Sequence, residues 1–194
     1  MIIWTTQPLS ALTQLDTTGF YRCSREKSWN LTKENDLRPA YQWLAQKMTE
    51  KIGLPPEGVE YPVWAWHTWV FERRAPDTES AAFLRRTEDK VLLTLDIQPE
   101  RLLLTDFDAW QLVMLNSYVP DVRTDEEYSV LEERLQSLSD QALREETVRS
   151  WGRVFLTDRV DTPELTRGKF IQATFWEIRK ADVISAQPLT ASAI

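Results

Sequence analysis

The chain has 194 residues, a net charge of −7 and a sequence pI of about 4.9, and this acidic balance disfavours broad electrostatic binding to nucleic acid or to anionic membranes. One cysteine, Cys23, excludes an internal disulfide and a cysteine-based zinc site. Without an apolar run of the ~20 residues that a membrane span needs, the sequence predicts a soluble protein of the reducing cytoplasm.

The first part of the chain predicts short strands alternating with helices. Apolar residues at three- and four-residue steps predict the helices, and a glycine follows each of them. In chain order we expect a strand at residues 2–4, a helix from Pro8 to Gly19, a strand at 20–23, a polar loop at 24–35 and a helix from the cap Asp36 to Gly53.

Residues 61–69, YPVWAWHTW, hold three of the nine tryptophans and the only histidine. Strand alternation places Trp64 and Trp66 on one face, with Tyr61 and His67 on the other and Trp69 on the far side as well. The two indoles are able either to stack on a planar ring such as nicotinamide or a base, or to pack beneath a helix, and we expect at least one of them in the core. His67 is either a satisfied polar residue or a catalyst.

The second part predicts a sheet and three more helices. Alternation is clearest at residues 91–97, where four aliphatic side chains face inward. The predicted elements are a loop at 71–89, strands at 91–97 and 102–104, a helix from the cap Thr105 or Asp106 to Tyr118, a helix carrying Tyr128 to Leu138, a helix from Ser139 to Phe155, a turn at 166–169, a long strand at 170–179 and a last strand edge at 182–188. No regular strand–helix–strand rhythm is present, so we predict an α+β fold with a mixed or antiparallel sheet, either continuous or split, flanked by helices. One domain should span residues 1–188, with a flexible tail at 189–194.

Glu177 is the most informative charged residue, because the predicted strand at 170–179 places it on a face with three apolar side chains. Burying a carboxylate costs several kcal/mol unless it is paired. It is therefore either a general base or electrostatic stabiliser in a cleft, or a strand-end acid that reaches solvent or pairs with Arg179 or Lys180. Gln172 and Thr174 lie on the opposite face and could contact a ligand.

Arginines raise a similar pair of alternatives. Arg22, in the apolar strand at 20–23, could hold a phosphate or carboxylate or pair with a neighbouring acid. The loop at 71–89 carries Arg73, Arg74, Arg85 and Arg86, which could guide a phosphate or lie in solvent.

Dinucleotide, Walker, zinc-protease and EF-hand motifs are all absent, and we predict no metal. Residues 105–108 are explained as a helix cap with acids in the first turn.

Three segments carry a family resemblance: YPVWAW at residues 61–66, LTDFDAW at 104–110 and IQATFWE at 171–177. Together with IWT at 3–5 and GFYR at 19–22, they resemble a small, uncharacterised, tryptophan-rich bacterial family, a domain of unknown function. The resemblance runs over nearly the whole chain and brings no assigned chemistry with it.

The order of the elements is also similar to the layout of ADP-ribosyltransferases, in which a first-strand His or Arg holds NAD, an aromatic residue packs on nicotinamide and a late glutamate is catalytic. This resemblance implies NAD contacts from Trp4, Thr5 or Arg22, aromatic packing by Tyr61, Trp64 or Trp66, further contacts from His67, Gln172 and Thr174, and catalysis by Glu177. The carboxylate would stabilise an oxocarbenium-like ribose. The sequence departs from that pattern in having no histidine in the first strand and Phe175 where an acid would precede Glu177.

Two functions from different classes follow. The leading hypothesis is an ADP-ribosyltransferase-like enzyme that transfers ADP-ribose from NAD to a macromolecule. The alternative is a non-enzymatic intracellular binding module whose tryptophan-lined groove grips a peptide or a partner protein. A third, nucleic-acid binding, would require the four arginines of the loop to lie along one groove with Trp64 or Trp66.

Overall fold

The computed structural model describes residues 1–23, 37–78 and 90–189. Five α-helices lie in these ranges: α1 (Ser10–Thr18), α2 (Arg38–Ile52), α3 (Phe107–Met114), α4 (Asp125–Gln136) and α5 (Asp140–Ser150). The strands there are β1 (Ile2–Pro8), β2 (Phe20–Arg22), β3 (Val63–Trp69), β4 (Lys90–Asp96), β5 (Leu103–Asp106), β6 (Val160–Asp161), β7 (Thr166–Arg167), β8 (Phe170–Phe175), β9 (Glu177–Arg179) and β10 (Val183–Leu189). None of the described helices is both long and apolar enough to cross a membrane.

Six strands form one antiparallel sheet in the order β10-β4-β1-β3-β8-β5. Two small ribbons, β2-β9 and β6-β7, stand beside it. The predicted α+β class with an antiparallel sheet is therefore confirmed. Strand β10 extends to Leu189, which is buried and pairs with Lys90, so the last strand takes in the first residue of the predicted tail.

The first face of the main sheet carries the aliphatic core. As the alternation predicts, Val91, Leu93, Leu95 and Ile97 have no exposed surface, and α1 covers this face with Leu15. Burial of each such side chain stabilises the fold by about 1.5–3 kcal/mol. The second face carries Trp4, Trp64 and Trp66 on alternate positions of β1 and β3.

Helices α2 and α3 cover part of the second face and make an aromatic core. Trp64 packs there with Tyr41 of α2 and Trp110 of α3. Helix α2 begins at Arg38, and the predicted cap Asp36 lies outside the described residues, as do Arg85 and Arg86. Helix α3 ends at Met114, short of the predicted Tyr118, because Asn116 takes a positive φ of 54° and leads the chain out of the helix.

A bulge at His67 changes the side of the sheet that Trp69 occupies. The pairing of β3 with β8 shifts register between Trp66 and Thr68, so one extra residue is accommodated. Trp69 then lies on the same face as Trp66, with ring centroids 4.8 Å apart. The prediction that Trp69 points to the far side is wrong, because strict alternation holds only for a regular strand.

The predicted long strand at 170–179 is also wrong, since Trp176 interrupts it. Its indole N–H donates to the Gly53 carbonyl at 2.9 Å, and the ring packs into the aromatic core. Beyond this break, β9 leaves the main sheet and pairs with β2, where Arg22 lies opposite Glu177. Glu177 therefore does not continue the face of Phe175 on a regular strand.

Candidate functional site

The two stretches that the sequence marks out are neighbours in the sheet. Trp64 pairs with Thr174, and Trp66 with Gln172, across β3 and β8. These four predicted ligand contacts thus share one face. Thr174 is fully buried and donates its hydroxyl hydrogen to the Leu103 carbonyl at 3.2 Å, so it is part of the core.

Three other residues that were predicted to contact a ligand also pack or hydrogen-bond inside the protein. The Trp64 ring lies 5.2 Å from that of Trp110, which confirms that at least one of the paired indoles is core. Tyr61 is 7% exposed and meets Tyr41 edge to face at 6.2 Å. The buried Thr5 hydroxyl donates to the Trp64 carbonyl at 2.6 Å. None of these three side chains opens onto a described cavity.

Trp66 instead belongs to a group of rings that reaches the surface, which we name the aromatic cluster: Trp66, Trp69, Phe107 and Phe170. All four side chains are half-buried. Ring centroids lie 5.4 Å apart for Trp66 and Phe107 and 4.9 Å apart for Trp69 and Phe170. The Lys169 ammonium lies 5.6 Å from the Phe170 centroid, within the range of a cation–π contact.

A cavity of about 360 Å³ lies next to this cluster, and we name it the Asp108 pocket. Its lining mixes acidic, basic and apolar side chains: Asp106, Asp108, Ala109, Leu112, Val119, Pro120, Arg153, Glu164, Leu165, Thr166 and Arg167. Phe107 and Asp108 are consecutive on α3, so the pocket and the cluster adjoin. The volume falls in the range of small-ligand sites, about 300–1,000 Å³.

Asp106 lines this pocket, but both of its carboxylate oxygens already accept backbone hydrogen bonds. One carboxylate oxygen accepts from the Ala109 N–H at 3.0 Å, capping α3 as predicted, and the other accepts from the Gly168 N–H at 2.7 Å. Gly168 has a φ of +78°, and a Cβ there would stand 2.9 Å from the Asp158 carbonyl oxygen. Burial raises the pKa of the Asp106 carboxyl, while these N–H donors oppose the rise.

The two carboxylates that remain for a ligand are those of Asp108 and Glu164. Neither has a hydrogen bond or an ion pair with any described residue, although both line the pocket. Partial burial, and then the nearby Asp106 charge, raises the pKa of Asp108, while the Lys169 charge opposes the rise. Arg167, by contrast, is 5% exposed and bridges Asp121 and Asp158 at 2.8 Å each. The two carboxylates are therefore the acceptors that this pocket offers to a ligand.

Glu177 lies elsewhere, at the β2-β9 ribbon. Its carboxylate meets Arg22 at 2.9 Å and Arg179 at 3.2 Å and is 12% exposed. The alternative that this acid pairs with Arg179 is confirmed, and so is the pairing of Arg22 with an acid. The recess beside it measures about 120 Å³ and is bordered by Ile52 at the end of α2, by Leu54 just after it and by Trp176.

His67 sits at the bulge, with its Nδ1 atom 2.9 Å from the Thr68 hydroxyl. Burial, and then the Arg73 charge, lowers the pKa of His67 to about 4, so the ring is neutral at pH 7. The Arg73 guanidinium donates to the backbone carbonyls of His67 and Ile2 and approaches the Trp4 ring at 5.8 Å. Arg73 thus ties β1 to β3.

The Asp108 pocket and two rings of the aromatic cluster, Phe107 and Phe170, are not predicted from the sequence. A helix cap explains Asp106 but not Phe107 and Asp108. The available signal was the lone Phe between two acids at the start of an apolar helix. An apolar side chain among acids at a helix start indicates a contact outside the helix itself.

The fold and these features define a class: an α+β domain with an antiparallel sheet and a surface aromatic cluster beside an acidic pocket. The chain belongs to the family described as Domain of unknown function (DUF3841), which matches residues 2–184. The family resemblance predicted from the sequence is therefore confirmed. Comparison with curated proteins and with solved structures gave no match.

Proposed function

We propose that this domain is a binding module that holds a segment of a partner protein on the aromatic cluster. The observation that carries the proposal is the position of its four rings, half-buried at one end of the sheet and outside the aromatic core. Tryptophan and other large aromatic residues supply much of the energy at protein interfaces. Rings that already pack against one another lose little freedom when a ligand arrives.

The adjoining Asp108 pocket is suited to bind a basic residue of that segment. A partner lysine or arginine entering it would meet Asp108 and Glu164, the carboxylates that no described residue pairs. An apolar or aromatic neighbour in the same segment would lie on Phe107 and Trp66. Charge in the pocket would then set specificity, while the rings provide most of the affinity.

A random peptide library displayed on phage tests this function. Selection on the wild-type protein should enrich peptides that pair an aromatic or large aliphatic residue with lysine or arginine. Trp66→Ala should weaken binding of the enriched peptides at least tenfold, since truncating a hot-spot residue costs about 2 kcal/mol or more of binding free energy. Asp108→Asn should reduce the preference for the basic residue. Fluorescence anisotropy with the purified peptides measures both changes.

Leu115→Ala is the matched control, because Leu115 is 72% exposed and lies outside the cluster and the pocket. It should bind the selected peptides as the wild type does. If the peptides bound Trp66→Ala and wild type equally well, the aromatic cluster would not be the site.

A second candidate is the ADP-ribosyltransferase-like enzyme, with NAD as substrate and no metal. The contact between Arg22 and Glu177 favours it, because the layout resemblance gives those two residues the NAD-holding and catalytic roles. The recess beside Glu177 is too small for NAD, however, so NAD binding would require Leu54 and the end of α2 to move. We rank it below the binding module for that reason.

Incubation with labelled NAD and a cell lysate separates the two functions. An enzyme should transfer label to an acceptor, and Glu177→Gln should reduce the rate by about 10²–10³, the loss typical of removing one transition-state stabiliser. Glu100→Gln, a change at an exposed acid, should retain the wild-type rate. Absence of transfer and of nicotinamide release in all three proteins would remove the enzyme from consideration.

A further inference from the structure

Helices α4 and α5 form a hairpin that contributes no residue to the aromatic cluster. Helix α4 has no buried residue over its twelve positions. Its apolar side carries Tyr128, at 50% exposure, with Leu131 and Leu135 only half-buried. Most helical stability in proteins comes from packing an apolar face, so a helix this uncovered is suited to receive a further element.

A groove of about 390 Å³ runs along this hairpin, and we name it the hairpin groove. Its lining is mainly apolar and aromatic: Tyr118, Pro120, Tyr128, Leu131, Glu132, Leu135, Gln136 and Leu143. Tyr128, Leu131 and Leu135 recur at three- and four-residue steps along α4. That spacing presents the ridge that an amphipathic helix needs for its own apolar side chains.

Charge identifies the occupant. Residues 121–150 hold nine acids and four arginines, a net charge of −5 out of −7 for the whole chain. Arg134 and Arg149 are both engaged with Glu146, at 2.8 Å and 2.6 Å. Glu132, on the groove, and Glu133 beside it have no ion pair with a described residue. A second copy would bring the same negative hairpin to this surface, whereas a basic partner would neutralise it.

We infer that the hairpin groove binds a basic amphipathic helix of a partner protein. Its apolar side chains lie on Tyr128, Leu131 and Leu135, and its lysines or arginines face Glu132 at the groove and the negative surface of the hairpin around it. The inference does not rest on the aromatic cluster, because none of its four rings lines the hairpin groove. The groove and the Asp108 pocket have only Pro120 in common.

A synthetic helical peptide of leucine and lysine is the probe, with the matched leucine and glutamate peptide as its counterpart. Fluorescence anisotropy should show saturable one-to-one binding of the lysine peptide and none of the glutamate peptide. Tyr128→Ala should weaken binding at least tenfold, as truncation of an aromatic hot-spot residue does. The pair Glu132→Gln and Glu133→Gln should also weaken it and flatten its dependence on salt.

A charge-matched control carries Glu57→Gln and Glu100→Gln, two exposed acids outside the hairpin. It should bind the lysine peptide as the wild type does, and circular dichroism should show all variants folded. Equal weakening in this control would mean non-specific attraction and would overturn the inference. So would failure of the wild type to bind the lysine peptide, or a wild-type dimer in sedimentation that Tyr128→Ala dissociates.

Discussion

Replacing Trp110 by alanine should lower the free energy of unfolding by about 3–5 kcal/mol, the usual cost of deleting a large aromatic side chain from a core. Trp110 is 2% exposed, and its ring centroid lies 5.2 Å from that of Trp64 and 5.5 Å from that of Tyr41. Alanine removes both contacts and leaves a cavity between α3 and the sheet. Packed interiors relax only partly around such a cavity.

Urea unfolding followed by far-UV circular dichroism measures this loss without relying on the deleted indole. Tyr128→Ala is the control, because its side chain is 50% exposed, and its stability should change by about 0.5 kcal/mol or less. Equal stability losses in the two variants would contradict the assignment of Trp110 to the core. Trp110→Phe, which keeps an aromatic ring in the site, should fall between wild type and alanine.

The regular part of the sheet could be predicted from the sequence. Alternation at residues 91–97 depends only on the two-residue period of a strand with one buried face, and four of these side chains have no exposed surface. The pairing of the two tryptophan-bearing stretches could not be predicted, since a strand's neighbours are set by topology. The structure places β3 beside β8 and β1 at the centre.

Local irregularities account for what the sequence did not reveal at the site. The bulge at His67 exists because β3 and β8 pair in two registers, and a single strand carries no sign of that. Trp176 breaks the last strand because its N–H finds the Gly53 carbonyl, 123 residues away in the chain. Both are tertiary effects, and together they move Trp69 to the site and Glu177 away from the predicted face.

Tryptophan serves two purposes in this chain. Trp64, Trp110, Trp151 and Trp176 fill the aromatic core, and two of their N–H groups bond to backbone carbonyls. Trp66 and Trp69 lie a few residues further along β3, past the end of the helices that cover that core, and they form the aromatic cluster. One strand thus supplies both groups, so composition alone could not separate the structural indoles from those we assign to binding.

His67 should make the protein less stable in mild acid. Its pKa is lowered from 6.5 to about 4 in the folded state, so the unfolded chain binds a proton more readily. Stability is therefore complete above about pH 6.5 and declines as the pH falls towards 4. A shift of this size corresponds to about 2–3 kcal/mol, taking the ring's half-buried position into account. Asp106 and Asp108 act in the opposite direction, because burial raises the pKa of each carboxyl.

His67→Gln isolates the contribution of the histidine. Glutamine keeps a polar group near the Thr68 hydroxyl but does not titrate, so carboxylate effects common to both proteins cancel when their stabilities are compared. Wild type should lose about 2 kcal/mol relative to this variant between about pH 7 and about pH 4.5 in urea unfolding. Parallel stability curves would mean that His67 titrates alike in the folded and unfolded chain. The bulge would then leave the ring open to water, and Arg73 would not bear on its charge.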